Sequence, residues 1–293
     1  MISDDGPGVT GCPAFAEHDS AHNKRPGHSG TGDTPIVFLQ TVDSTNAEAL
    51  RQARTGVRGP LWIAAPVQTA GRGRRGRAWV SQPGNLYASL LLVDPAPAAV
   101  APQLAFVAGL AVHDACAALA PGVAAALALK WPNDLLCAGR KLAGILIEGE
   151  GDPVAAAIGI GVNCLHHPTA LESPATDLAE LGATISADVL LQALAGAMAV
   201  RLRQWDRGGG FGAIRADWLA RAAGLGRPMR ARLPDRETSG VFEAIDAGGR
   251  LLLRRDDGGI EIITAGEVFP VLEVAAQGEP GLTAAGRGAP LQR

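Results

Sequence analysis

Apolar residues along this chain gather in short runs broken by Gly, Pro and small polar residues, and the runs follow two different periods. Pro35-Ile36-Val37-Phe38-Leu39 and Leu61-Trp62-Ile63-Ala64-Ala65 are short continuous runs and read as strands, as does Gly84 to Leu92 after a Pro83-Gly84 turn. Between the first two, Thr45 and Glu48 stand three apart, the spacing of a capping box, which predicts a helix from Thr45 to about Arg54. From about Ala101 to Leu119, the positions Leu104, Val107, Leu110, Ala111 and Ala115 recur on one helical face. Leu127-Ala128-Leu129 reads as a strand that ends in a Trp131-Pro132 corner, because proline forces the residue before it out of the helical region. Gly139 to Glu148 and Val154 to Asn163, joined by the short linker Gly149-Glu150-Gly151-Asp152-Pro153, read as an antiparallel hairpin.

Residues 165–184 read as loop, followed by helices at about 187–206 and 212–222. The first of these carries a core stripe of Val189, Leu190, Leu194, Met198 and Leu202. Gly224-Leu225-Gly226-Arg227-Pro228 marks a boundary, and beyond it Met229 to Leu233, Ser239 to Ile245, Arg250 to Arg254 and Ile260 to Ile263 form four short strands separated by Asp- and Gly-rich turns. That pattern predicts a small β-barrel over 225–275. Residues 1–34 lack the large apolar side chains that would offset the entropy of ordering, and read as a disordered tail, as do residues 276–293. The main folded unit is therefore expected over 35–224.

Composition narrows the class. The chain has 293 residues, 47% hydrophobic and 19% charged, which is globular and long enough for one large domain and a small one. A formal net charge of -3 makes the chain a poor candidate for a general nucleic-acid binder, and no apolar run reaches membrane-span length without Gly, His, Asp or Pro interrupting it. No charged segment followed by an apolar one opens the chain, so no secretory signal is expected. Cys12, Cys116, Cys137 and Cys164 are widely spaced and read as reduced thiols of a cytoplasmic protein. His166 and His167 are adjacent, a poor arrangement for a metal site.

Against this acidic background one stretch stands out: Gly71-Arg72-Gly73-Arg74-Arg75-Gly76-Arg77, preceded by Gln68 and followed by Trp79, with four arginines and three glycines in seven residues. Arginine offers a planar fork of donors suited to carboxylates and phosphates, and glycine lets the backbone approach and turn. The stretch has neither helical nor strand period, so it is expected to be a self-repelling, mobile loop until an anion neutralises it. Arg-rich runs also occur as solvated surface or nonspecific nucleic-acid patches. What favours a ligand loop is its company. Ser44, Thr45 and Asn46 open a helix whose N-terminal N–H groups suit polar ligand atoms, and Asn133 and Asp134 follow the Trp-Pro corner beside Lys130. Lys141 begins an apolar strand and needs an anion, and Gly144, Gly159 and Gly161 would leave room for a flat ligand on the sheet.

Four pieces, Asp43-Ser44-Thr45-Asn46, Gln68 to Trp79, Lys130 to Leu136 and Arg140 to Glu148, resemble in their order the biotin protein ligases, over roughly residues 36–275. The resemblance implies an α+β fold, a mixed sheet flanked by helices of the kind shared with class II aminoacyl-tRNA synthetases and lipoate ligases, with an SH3-like barrel ending at Ala265-Gly266-Glu267-Val268. Some members carry an N-terminal winged helix-turn-helix; residues 1–34 resemble none, which implies the monofunctional type.

The implied reaction joins biotin to ATP as biotinyl-5'-AMP, with Mg2+ on the nucleotide, and then passes the biotinyl group to a lysine of the biotin carboxyl carrier protein of acetyl-CoA carboxylase or a related enzyme. By resemblance Arg72, Gly73 and Arg74 fold over biotin and the adenylate with Gln68 nearby, and Ser44, Thr45 and Asn46 hold the ring end. Lys141 contacts the carboxylate and phosphate region, and Arg74 and Lys141 are the expected catalytic residues. Asn133, Asp134, Arg77 and Trp79 fall on the ATP and Mg2+ side, with no metal held by protein groups alone. Neither nucleic acid nor membrane is an expected partner, and dimerisation is left open. The rival readings are a lipoate or octanoate ligase, an arginine-based nucleic-acid module and a noncatalytic biotin-binding protein.

Overall fold

A computed structural model describes residues 34–169 and 173–271. The tails expected over 1–34 and 276–293 lie outside the described residues apart from Thr34, as does Cys12. The first sheet has seven strands. In chain order they are β1 (Ile36–Phe38), β2 (Leu61–Ala64), β3 (Leu86–Val93), β4 (Leu127–Lys130), β5 (Asp134–Cys137), β6 (Arg140–Glu150) and β7 (Ala155–Val162). In space the order is β1-β2-β3-β7-β6-β5-β4. Only β1 and β2 run parallel, joined through α1 (Thr45–Arg54); the other pairs are antiparallel, so the sheet is mixed as expected.

Alternation along β7 explains why one face of this sheet is a core and the other a floor. Ala156, Ile158, Ile160 and Val162 point to one side and pack in the main core, whereas Ala155, Ala157, Gly159 and Gly161 point to the other. The large side chains meet α2 (Leu104–Leu119), α3 (Ala187–Trp205) and α4 (Phe211–Leu219). Phe106 of α2 stacks edge-on against Phe211 and Trp218, with centroids 5.6 and 5.4 Å away. By length and composition Ala101–Leu119 could cross a membrane, contrary to the interrupted run read from sequence, yet most of it is buried between α3, α4 and the sheet. On the other face α1 covers Ile63, Leu91 and Ala157, and reaches the glycine end of β7 only with its first turn, through Asn46 over Gly159.

Beyond Gly226 the chain forms a second, antiparallel sheet: β8 (Pro228–Arg232), β9 (Glu237–Ile245), β10 (Leu251–Arg254), β11 (Ile260–Ile263) and β12 (Glu267–Pro270), in the order β11-β10-β9-β8-β12. It is the small β unit expected there, with a fifth strand that the turn pattern did not reveal. Three other expectations need correction. Ser44, not Thr45, caps α1: its backbone is extended and its hydroxyl accepts from Ala47 N–H, which leaves Thr45 in the first turn and Glu48 paired with Arg51. Val189 is 52% exposed, and Leu191 takes its place in the core of α3. A strand not expected there, β5, follows the Trp131-Pro132 corner at once, so the turn at Asn133 and Asp134 is the bend of a hairpin.

Candidate active site

The glycine floor, the N-terminus of α1, the arginine loop, the β4–β5 bend and β12 enclose a cavity of about 220 Å3. It gathers every residue assigned to the site above: Ser44, Thr45, Asn46, Gln68, Arg72, Gly73, Arg74, Arg77, Trp79, Asn133, Asp134 and Lys141 all line it, whereas Arg75 of the same run does not. Residues from 44 to 269 contribute, so the site belongs to both sheets.

One end is neutral and polar. Ser44, Thr45 and Asn46 are buried, and Gln68 Oε1 accepts from Thr45 N–H at 2.8 Å and from its hydroxyl at 3.1 Å. Asn46 Nδ2 donates to Glu148 Oε2 at 2.8 Å, and its carboxamide lies so close over Gly159 that a Cβ there would sit 2.5 Å from Asn46 Oδ1. Trp79 rests on the other two glycines in the same way, 2.9 Å from a Cβ at Gly144 and 2.6 Å from one at Gly161. The floor expected to stay clear for a ligand is thus occupied by Trp79 and Asn46. The indole Nε1 is buried without a hydrogen-bond partner, a donor in want of an acceptor.

The other end is cationic. Lys141 Nζ lies 2.7 Å from Asp134 Oδ1 and 5.4 Å from the Trp79 ring centroid. Asp134, expected on the nucleotide side, is thus also the counter-charge of Lys141. The arginine loop is not held open by self-repulsion. It turns over Arg74–Gly76, with Arg75 and Gly76 at φ 57° and 72°, and protein groups engage three of its arginines. Arg72 Nε reaches Glu148 at 3.2 Å, Arg77 pairs with Glu267, and Arg74 donates to Gly266 O at 3.1 Å and Asn133 Oδ1 at 3.3 Å. Burial holds the Arg74 guanidinium below its usual pKa, as does the charge of Arg75.

Lys130, noted in the sequence beside Asn133 and Asp134 but not assigned to the site, also lines the cavity, 5.0 Å from the Phe269 ring centroid. Burial pushes its pKa down, and the charge of Asp134 only partly offsets that. A lysine closing a buried strand was the signal available. Glu267 and Phe269 had none, since they approach only when the second sheet packs against the first. Elsewhere His167, Asp177 and Glu180 have ligand atoms close enough together to hold a metal. Arg140 at 2.7 Å and Thr176 at 3.0 Å already engage Glu180, so those contacts make a structural tie.

Residues 38–164 match the biotin/lipoate A/B protein ligase family, and residues 224–269 match the biotin protein ligase C terminal domain. A biotin--[acetyl-CoA-carboxylase] ligase of Paracoccus denitrificans is 47% identical over 241 residues, 79% of this chain and 99% of that protein. Among solved structures, a biotin protein ligase of Aquifex aeolicus in complex with biotin and ATP superposes with a TM-score of 0.70 at 27% identity, over 81% of this chain and 99% of that one. The biotin protein ligase of Leishmania major in complex with biotinyl-5-AMP matches at a TM-score of 0.56 and 26% identity, over 79% and 99% of the two chains.

Proposed function

The chain belongs to the biotin protein ligases, and from that premise we propose how its cavity works: the neutral end takes the biotin ring and the cationic end takes the carboxylate and the ATP phosphates. The enzyme activates biotin with ATP as biotinyl-5'-AMP and transfers the biotinyl group to a carrier lysine. The observation that carries the residue assignment is that both ends lie in one cavity.

In the first step a carboxylate oxygen attacks the α-phosphorus, the bond to the β-phosphate breaks, and pyrophosphate leaves. Both reactants are anions, so bringing them together needs positive charge fixed in advance. Lys141 and Arg74 are the groups assigned to the carboxylate and the α-phosphoryl oxygens, with Lys130 and Arg77 on the leaving phosphates. At an effective dielectric of about 20, a cation about 4 Å from an anionic oxygen gains about 4 kcal/mol before desolvation. Lys130 and Arg74 already bear part of that desolvation, as their lowered pKa values record. Mg2+ supplies further charge neutralisation when it arrives on the nucleotide. Asp134 is the one carboxylate at the β4–β5 bend that would hold it, with Asn133 beside it and phosphate oxygens and water as the remaining ligands. In the second step the carrier amine attacks the biotinyl carbonyl and AMP leaves. Closed over the anhydride, the arginine loop keeps water from competing.

The working unit on this reading is residues 35–224, completed by 225–275 through Gly266, Glu267 and Phe269. The acceptor is the biotin carboxyl carrier protein of acetyl-CoA carboxylase or a related carboxylase. Arg72, Arg74 and Arg77 line the cavity, and Arg72 and Arg77 are already paired with Glu148 and Glu267, which supports a reading without nucleic acid. Use of ATP, together with Cys116, Cys137 and Cys164 as buried free thiols, supports a cytoplasmic enzyme. The test is mass spectrometry of the purified chain after mixing with Mg-ATP, biotin and lipoate in equal amounts. Bound biotinyl-AMP without lipoyl-AMP is the expected result; lipoyl-AMP alone, or no adenylate, would overturn the assignment.

A further inference from the structure

Behind the neutral end of the cavity lies Ser89 on β3, with 0% exposure and no part in the lining. Its Oγ is 2.7 Å from Thr45 Oγ1 and 2.7 Å from Asn46 Oδ1. The orientation of both neighbouring amides follows from their partners. Asn46 Nδ2 faces two acceptors, Glu148 Oε2 at 2.8 Å and Leu146 O at 3.2 Å, which leaves Oδ1 toward Ser89. Gln68 Oε1 faces Thr45 N–H at 2.8 Å, which leaves Nε2 toward Ser81 Oγ at 3.1 Å.

With those directions set, the hydrogens can be followed one by one. Asn46 Oδ1 only accepts, so Ser89 is its donor. Thr45 has two protein acceptors for its own hydroxyl hydrogen, Ser89 Oγ at 2.7 Å and Gln68 Oε1 at 3.1 Å. Whichever takes it, the side-chain hydrogens of Thr45, Asn46 and Ser89 are all spoken for inside the protein. Only lone pairs, on Thr45 Oγ1 and Asn46 Oδ1, remain to meet a ligand. Such a surface accepts N–H donors and has no hydrogen-bond gain to offer a ring that brings none, because the remaining lone pairs then go unused.

We infer that Ser89 is a positioning residue that fixes Thr45 and Asn46 as hydrogen-bond acceptors, and so selects a ring bearing N–H donors. The inference rests on the biotin reading above: the ureido ring of biotin has N–H groups, whereas the dithiolane of lipoate has none. Ser89 touches no substrate itself. Its effect travels through the two side chains it holds.

The test uses the full chain as wild type, Ser89→Ala and Ser89→Cys, titrated calorimetrically with biotin, with desthiobiotin and with lipoate. The KM for ATP is measured separately at saturating biotin. Desthiobiotin keeps the ureido ring and lacks the sulfur ring, so it isolates the contact in question. Ser89→Ala is expected to weaken biotin and desthiobiotin alike, by about tenfold, narrow the preference over lipoate and leave the ATP KM within about twofold. Ser89→Cys, which keeps one weak donor, is expected to fall between. Biotin affinity in Ser89→Ala within about twofold of wild type would overturn the role of Ser89, as would an ATP KM that worsens in step with biotin. A wild-type chain that takes neither ureido ligand would overturn the biotin reading itself.

Discussion

Arg201 in the helical layer and the cations of the cavity are built from the same chemistry, and they differ in how much of it the protein uses. Arg201, only 12% exposed at its side chain, is engaged on Nε, Nη1 and Nη2: Asp114 at 2.7 Å, Gln204 Oε1 at 2.7 Å and Asp217 Oδ2 at 2.5 Å. It ties α2, α3 and the α4 end together and has little left to offer a ligand. In the cavity the donors are undersupplied with partners. Lys141 has the single carboxylate of Asp134, and Arg74 has two neutral oxygens. Among the described residues the Lys130 ammonium has no hydrogen bond or ion pair, only the face of Phe269. A saturated cation stabilises the fold; an unsaturated one is a stored demand for an anion.

The largest effect expected from this contrast comes from Lys141→Met. The rate of biotinyl-AMP formation, followed as pyrophosphate release, should fall by about 100- to 1,000-fold, the range for losing one preorganised charge at a reacting centre. An unfolding midpoint close to wild type should accompany it, and an undiminished rate would end the distinction between the two regions. Arg201→Ala should do the reverse. Loss of about 2 kcal/mol of stability is expected from leaving Asp114 with only His113 and Asp217 with only Gln204, measured by urea denaturation, with activity per folded molecule unchanged. The smallest effect, and the sharpest test, is Lys130→Met. Removing a partly buried cation that has no ion pair should raise stability by about 1 kcal/mol while weakening ATP binding. The sign of its pH dependence follows from the lowered pKa. Between the folded value and the model-peptide value of 10.5 the unfolded chain binds more protons, so wild-type stability rises with pH in that window. Lys130→Met should lack that rise; parallel curves for the two proteins would show that Lys130 is solvated.

Much of this site is written locally, and the part that is not has a common cause. The arginine loop, the Lys130 to Asp134 bend and the start of β6 each concentrate unusual residue types within ten positions, so they stand out before any folding is considered. Their counter-charges do not. Glu267 meets Arg77 across 190 residues and Glu148 meets Arg72 across 76, and an isolated acid in a strand gives no local sign of its partner. Hence the loop read as self-repelling, although its neutralising acids were already present in the chain. Ser89 was hidden for a related reason: in Leu86 to Val93 it is one small polar residue among apolar ones, and only the approach of α1 makes it a donor. The strand errors are local. β5 and β12 have four residues each and begin directly after turn residues, Trp131-Pro132-Asn133 and Ala265-Gly266, so the turn signal masks the strand that follows it. The cap moved by one position because Ser44 and Thr45 have equal claims to it and only the backbone decides.

The cavity draws on α1 near the start of the described chain and on β12 at its close. The first sheet carries the arginine loop and both lysines, but the Gly266 carbonyl that accepts from Arg74 and the Glu267 carboxylate that pairs with Arg77 belong to the second. The two sheets are thus one tool: neither on its own encloses the cavity, and a change at their seam reaches the reacting charges without touching them.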